Sequence, residues 1–125
     1  MAGPVALIGS GEFLSSMADF DRSLLLASGA ARPRVAILPT ASWPDGETVF
    51  RRWADMGVEH FRSLGAEVEA VPVSDRAAAF DPAHAQAIGE ADVIYMSGGK
   101  PDYLLETLDG SAVWAAARAA HDRGA

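Results

Sequence analysis

Residues 92–105 read Asp92-Val93-Ile94-Tyr95-Met96-Ser97-Gly98-Gly99-Lys100-Pro101-Asp102-Tyr103-Leu104-Leu105. After Asp92, residues 93–96 form an apolar run, so 92–96 predicts a buried strand, and it leads through Ser97 into a glycine pair. Pro101 then presets φ for a helix at its first position, where a missing N–H costs nothing. A strand, a glycine turn and a helix start, in that order, aim backbone N–H groups at an incoming anion or oxyanion. The same strand-then-helix order recurs along the chain, and that recurrence decides the fold class.

Val5-Ala6-Leu7-Ile8 is another short apolar run, ended by Gly9-Ser10-Gly11. Arg34-Val35-Ala36-Ile37-Leu38 is a third, ended by Pro39. Runs apolar at every position suit strands covered on both faces, as in parallel sheets. Residues 67–73 alternate polar and apolar, which suits an edge strand with one wet face. Helices are predicted between these runs. Ser15 or Ser16 caps one to about residue 28, with Met17, Phe20, Leu24 and Ala27 as its apolar stripe. A second covers 47–64, with Val49, Phe50, Trp53, Met56, Phe61 and Leu64 facing the core. Asp81-Pro82 opens a short one to about 88, Pro101 another to 108, and Ser111 caps the last to about 123. Residues 40–46 and 74–80 read as loops. The order β-α-β-α-β-α-β-α-α predicts one α/β domain over residues 1–125. Its architecture is an open, mostly parallel sheet with helices on both faces. Ligands in such sheets lie beyond the strand C-terminal ends, here residues 9–12, 39–42, 73–75 and 97–102.

Composition narrows the function classes. The hydrophobic fraction is 50% of 125 residues, enough for a single core and too high for disorder. There is no cysteine, which excludes a disulfide framework, a thiolate metal site and a cysteine nucleophile. Net charge is −7 and pI about 4.7, so neither nucleic acid nor an anionic membrane surface is an expected partner. No apolar run approaches the ~20 residues of a membrane span. Met1-Ala2-Gly3-Pro4 lacks the charged start of a signal peptide. A cytoplasmic protein is expected. His60, His84 and His121 fall inside predicted helices with neither i,i+4 spacing nor an accompanying carboxylate cluster. They read as packing or surface residues, and no metal is expected. Trp43 and Trp53 read as core, with a place in a pocket wall as the alternative.

Two glycine turns invite a ligand. Gly9-Ser10-Gly11-Glu12 begins like a dinucleotide fingerprint, but Leu14 replaces the third glycine. Pro39-Thr40 stands where the acidic residue after the second strand belongs, so no cofactor is expected. Two readings stay open there: a tight turn needing glycine for backbone reasons, or a substrate-facing loop in which Ser10 or Glu12 touches ligand. The Gly98-Gly99 turn is likewise either a plain turn or an anion site. At an anion site Lys100 would add positive charge, and Asp102 would meet an amine or guanidinium.

Three segments together resemble the dipeptidase E and cyanophycinase family of serine peptidases, within the class I glutamine amidotransferase-like fold. They are Leu7-Ile8-Gly9-Ser10-Gly11-Glu12-Phe13, Ile37-Leu38-Pro39-Thr40-Ala41-Ser42 and Tyr95 through Leu105. The likeness extends to Trp114-Ala115-Ala116-Ala117 and Gly124-Ala125. It implies an oxyanion hole with backbone donors at Gly98 and Gly99. It implies a pocket for a small peptide or amide lined by Ser10, Glu12, Thr40, Lys100 and Asp102. The family often places Asn or Asp after the glycine pair, where Lys100 stands here. The resemblance also implies a continuation, in which a strand after Gly124-Ala125 delivers the nucleophile on a Gly-x-Ser-Ala-Gly elbow and the histidine follows. No serine of this chain stands in such an elbow. The expectation is therefore the N-terminal part of a serine hydrolase, with an incomplete sheet. It would be inactive alone and prone to self-association through unpaired edges. The alternative is a non-catalytic α/β module that binds a small anion at the Gly98-Gly99 turn.

Overall fold

The computed structural model describes all 125 residues. Its sheet has three parallel strands, with β1 (Arg34–Leu38) between β2 (Glu67–Ala70) and β3 (Val93–Met96). Arg34 pairs with Glu67 and Ile37 with Ala70; on the other side Val35 pairs with Val93 and Leu38 with Met96. Side chains alternate across a strand, so the apolar run of β1 after Arg34 feeds two cores. Val35 and Ile37 pack with Phe13, Leu25, Phe61 and Tyr95 on one face. Ala36 and Leu38 pack with Val73, Ile88, Leu108 and Val113 on the other.

The first face is covered by α1 (Ala18–Ala27), entered through a 3-10 turn at Ser15–Met17, and by α2 (Glu47–Ser63). The second is covered by α3 (Arg76–Ala79), α4 (Pro82–Gly89), α5 (Pro101–Leu108) and α6 (Ala112–Asp122). Two predicted caps form as read. Asp81 Oδ1 accepts from the Ala83 N–H at 2.9 Å, and Ser111 Oγ from the Trp114 N–H at 3.0 Å. Gly57 sets how closely α2 approaches β1. A Cβ there would stand 2.9 Å from Phe13 Cζ and 3.0 Å from Ile37 Cγ2. The glycine costs about 1 kcal/mol in helix propensity, offset by that close packing. No helix of the chain is long and apolar enough to cross a membrane.

Several local expectations are corrected. Residues 5–8 are not a strand. The run is tethered at its start, where the Gly3 N–H donates to the His121 carbonyl at 2.9 Å. Beyond that none of its amides pairs with β3, and Val5 and Leu7 are exposed. An apolar run becomes a strand only beside a partner edge, and here a cleft separates it from β3. Residues 76–79, read as loop, form α3, because Asp75 Oδ1 accepts from the Ala78 N–H at 2.8 Å. The loop after β1 is a 3-10 helix over Thr40–Asp45. α1 is rotated from its expected stripe. Phe20 is exposed, while Asp21 and Leu25 are buried. A carboxylate tolerates that position because a histidine on α2 meets it.

Candidate functional site

β1 and β3 end side by side, and the turns leaving them form the rim of the sheet. The glycine turn is fastened to the 3-10 helix after β1. The Ser97 N–H donates to the Leu38 carbonyl at 3.2 Å, and the Lys100 N–H to the Ala41 carbonyl at 2.7 Å. Gly99 lies so close to that helix that a Cβ would stand 2.2 Å from the Ala41 carbonyl oxygen. Its φ of +153° falls in a region that suits glycine. Gly98 and Gly99 are both exposed, and both line a cleft of about 1340 Å³ between β3 and the segment at 4–9. The Gly99 N–H makes no hydrogen bond within the chain.

The two glycine turns meet. Glu12 Oε2 accepts from the Gly98 N–H at 3.1 Å, across 86 residues of sequence. Glu12 also lines the cleft. The other predicted site residues are placed differently. Ser10 is exposed in the first turn and outside the cleft lining. Thr40 is fully buried at the end of β1, with its hydroxyl unpartnered. Lys100 and Asp102 are exposed at the start of α5, outside the cleft lining. Tyr103 ties α5 to the loop after β2, its hydroxyl donating to the Ser74 carbonyl at 2.5 Å.

Behind the cleft lies a cluster that sequence reading missed. His60 Nε2 donates to Asp21 Oδ2 at 2.7 Å, with the side chains 7% and 0% exposed. Phe13 sits above this pair, its ring centroid 6.1 Å from His60 and 4.6 Å from Tyr95. Phe13 has a φ of +65°, rare for a residue with a side chain. The one available signal was Asp21 itself, a carboxylate beside the apolar stripe of α1. Nothing in the sequence points from it to a histidine 39 residues away. His84 and His121 bond carbonyl oxygens, of Ala78 and Gly3. No serine hydroxyl is hydrogen-bonded to a histidine side chain; those of Ser23, Ser28, Ser42 and Ser63 all donate to backbone carbonyls.

Tyr95 lines the cleft, and its buried hydroxyl has no partner. Burial first, then the Asp21 and Glu12 carboxylates, push its phenol well above the usual 10.0. The sign for stability follows. Above pH 10.0 the unfolded phenol loses its proton while the folded one keeps it. The unfolded state then binds fewer protons, so stability falls as pH rises. Tyr95→Phe is expected to flatten that alkaline loss in denaturant titrations. It should also raise stability at neutral pH by about 1 kcal/mol, because an unpartnered buried hydroxyl is removed.

The comparisons agree with this fold. The model described as Peptidase family S51 matches residues 5–125. The crystal structure of a peptidase from an acI-B1 Actinobacterium matches with a TM-score of 0.93 and 32% sequence identity, over 99% of this chain and 52% of that one. The chain thus spans about half the length of that peptidase. No curated protein sequence matches it. A family match over nearly all residues, a matching fold and a glycine turn open to a cleft lead to one conclusion: the chain belongs to peptidase family S51.

Proposed function

We propose that these residues form the oxyanion-stabilising part of a serine peptidase that cleaves a small peptide or amide through an acyl-enzyme. The observation that carries this reading is the Gly98-Gly99 turn. It is exposed on the cleft, and the Gly99 N–H has no partner inside the chain. Acyl transfer needs a donor already aimed where negative charge develops, and one such donor is worth about 2.7–4 kcal/mol. A nucleophile needs an adjacent base, and no serine here bonds a histidine side chain. The nucleophile and its histidine therefore belong, in this proposal, to sequence outside residues 1–125. Of Ser10, Glu12, Thr40, Lys100 and Asp102, expected around the substrate pocket, only Glu12 lines this cleft; the proposal keeps it at the wall beside the oxyanion donor and does not rest on the other four. A cytoplasmic site of action is part of it.

The reading is tested on the gene and on the intact protein. An in-frame Gly-x-Ser-x-Gly elbow after codon 125 is the expected result, with labelling of that serine by a fluorophosphonate. A native stop codon at that point overturns it. The alternative, a non-catalytic module holding a small anion at the free Gly99 amide, would then take its place.

The open sheet carries a further expectation. β3 lies at a sheet edge facing the cleft, beside the exposed Val5 and Leu7. Unpaired edges recruit other chains. Residues 1–125 alone are expected to self-associate, seen as scattering mass that rises with concentration. A constant monomer mass would contradict this.

A further inference from the structure

The amides of the glycine turn can be accounted for one by one. Ser97 donates to Leu38, Gly98 to Glu12 and Lys100 to Ala41. Gly99 alone has no acceptor. Gly99 is exposed on the cleft, so its free amide is the one of the four open to an outside acceptor. Gly98 cannot serve the same acceptor while Glu12 holds it. A carboxylate and a developing oxyanion on one N–H would repel each other.

Glu12 is held from behind. Its neighbour Phe13 is buried, and φ of +65° there is a strained backbone that persists only where the surroundings fix it. The surroundings are Trp53, Phe61, Tyr95 and the Asp21–His60 pair. A glycine pair has no side chains with which to anchor itself, so its direction is set by what grips its backbone.

Resting on the hydrolase reading above, we infer that Glu12 is a positioning residue. Its carboxylate grips the Gly98 amide and so turns the Gly99 amide, alone of the pair, into the cleft as the oxyanion donor. Glu12 does not touch substrate.

The test uses the intact protein and the aminoacyl-p-nitroanilide that it hydrolyses fastest. Glu12→Ala is expected to lower kcat about 100-fold with little change in KM, as misaiming by about 1 Å does. Glu12→Gln, whose amide oxygen still accepts the Gly98 N–H, should recover most of that loss. Glu12→Asp keeps the charge but falls short of the amide, and should behave like alanine. The Gly98 amide proton should move upfield in Glu12→Ala and stay near its native position in Glu12→Gln. A rise in KM with native kcat in the alanine and glutamine proteins would overturn the inference and make Glu12 a substrate contact. Native kcat in Glu12→Asp, or an unmoved Gly98 amide in Glu12→Ala, would also overturn it while leaving the hydrolase reading intact. No turnover by the unsubstituted protein overturns both.

Discussion

Gly99→Ala is expected to cost the intact protein about 100–1,000-fold in kcat, the loss typical of removing an oxyanion donor. The cause is local and steric. The new Cβ would sit 2.2 Å from the Ala41 carbonyl oxygen, 2.4 Å from its carbon and 2.8 Å from the Ser42 nitrogen. These are backbone atoms of the 3-10 helix after β1, not side-chain ends that can swing aside. The φ of +153° adds its own strain of about 1–3 kcal/mol for a residue with a Cβ. The turn must lift away from Ala41, which breaks the Lys100 N–H bond and moves the free amide. Gly98→Ala is the control. Its Cβ meets only Glu12 Oε2, at 2.8 Å, the far end of a flexible side chain. That side chain is the one gripping the turn, so a loss no larger than that of Glu12→Ala, about 100-fold, is expected there. Steady-state kinetics on both variants check the contrast, and native kcat in Gly99→Ala would remove the turn from the chemistry.

Much of this was legible in the residues. The apolar runs of β1 and β3, the cap at Ser111, the Asp81-Pro82 start and the Pro101 helix all come from local signals that act within four residues. The Gly98-Gly99 turn was legible as a turn for the same reason, since a glycine pair between a strand and a proline ends one element and opens the next. What failed depended on distant partners. Val5-Ala6-Leu7-Ile8 has strand composition, yet a strand exists only through hydrogen bonds to a neighbour, and none is made. The face of α1 was misjudged because helical periodicity ranks Asp21 as polar and therefore outward. Its partner His60 lies on another helix. The Glu12–Gly98 bond joins two turns that sequence reading could only treat separately. Thr40 shows the same gap: its position at a strand end was readable, but not that its hydroxyl is fully buried.

The Asp21–His60 pair should dominate the stability of the first face. His60→Ala would leave a fully buried carboxylate without its one hydrogen-bond partner, and Asp21 Oδ1 already has none. Breaking a buried pair from one side typically costs about 3–5 kcal/mol, a large share of the 5–15 kcal/mol that holds a domain together. Removing both partners is a different matter, because the desolvation cost disappears with them. The double replacement Asp21→Leu with His60→Phe, similar in volume to the original pair, is expected to recover most of the loss. A coupling of about 2–3 kcal/mol should therefore appear in the double-mutant cycle of Asp21→Leu and His60→Phe, each single variant included, by urea denaturation. Additive effects would mean that the two side chains do not depend on each other in solution. The pair also underlies Phe13, and through Phe13 the loop that presents Glu12. If the cluster clamps that loop, the double replacement restores stability but not kcat, since a repacked core need not hold Phe13 at its strained φ. Stability and catalysis would then separate at residues that line neither the cleft nor the glycine turn.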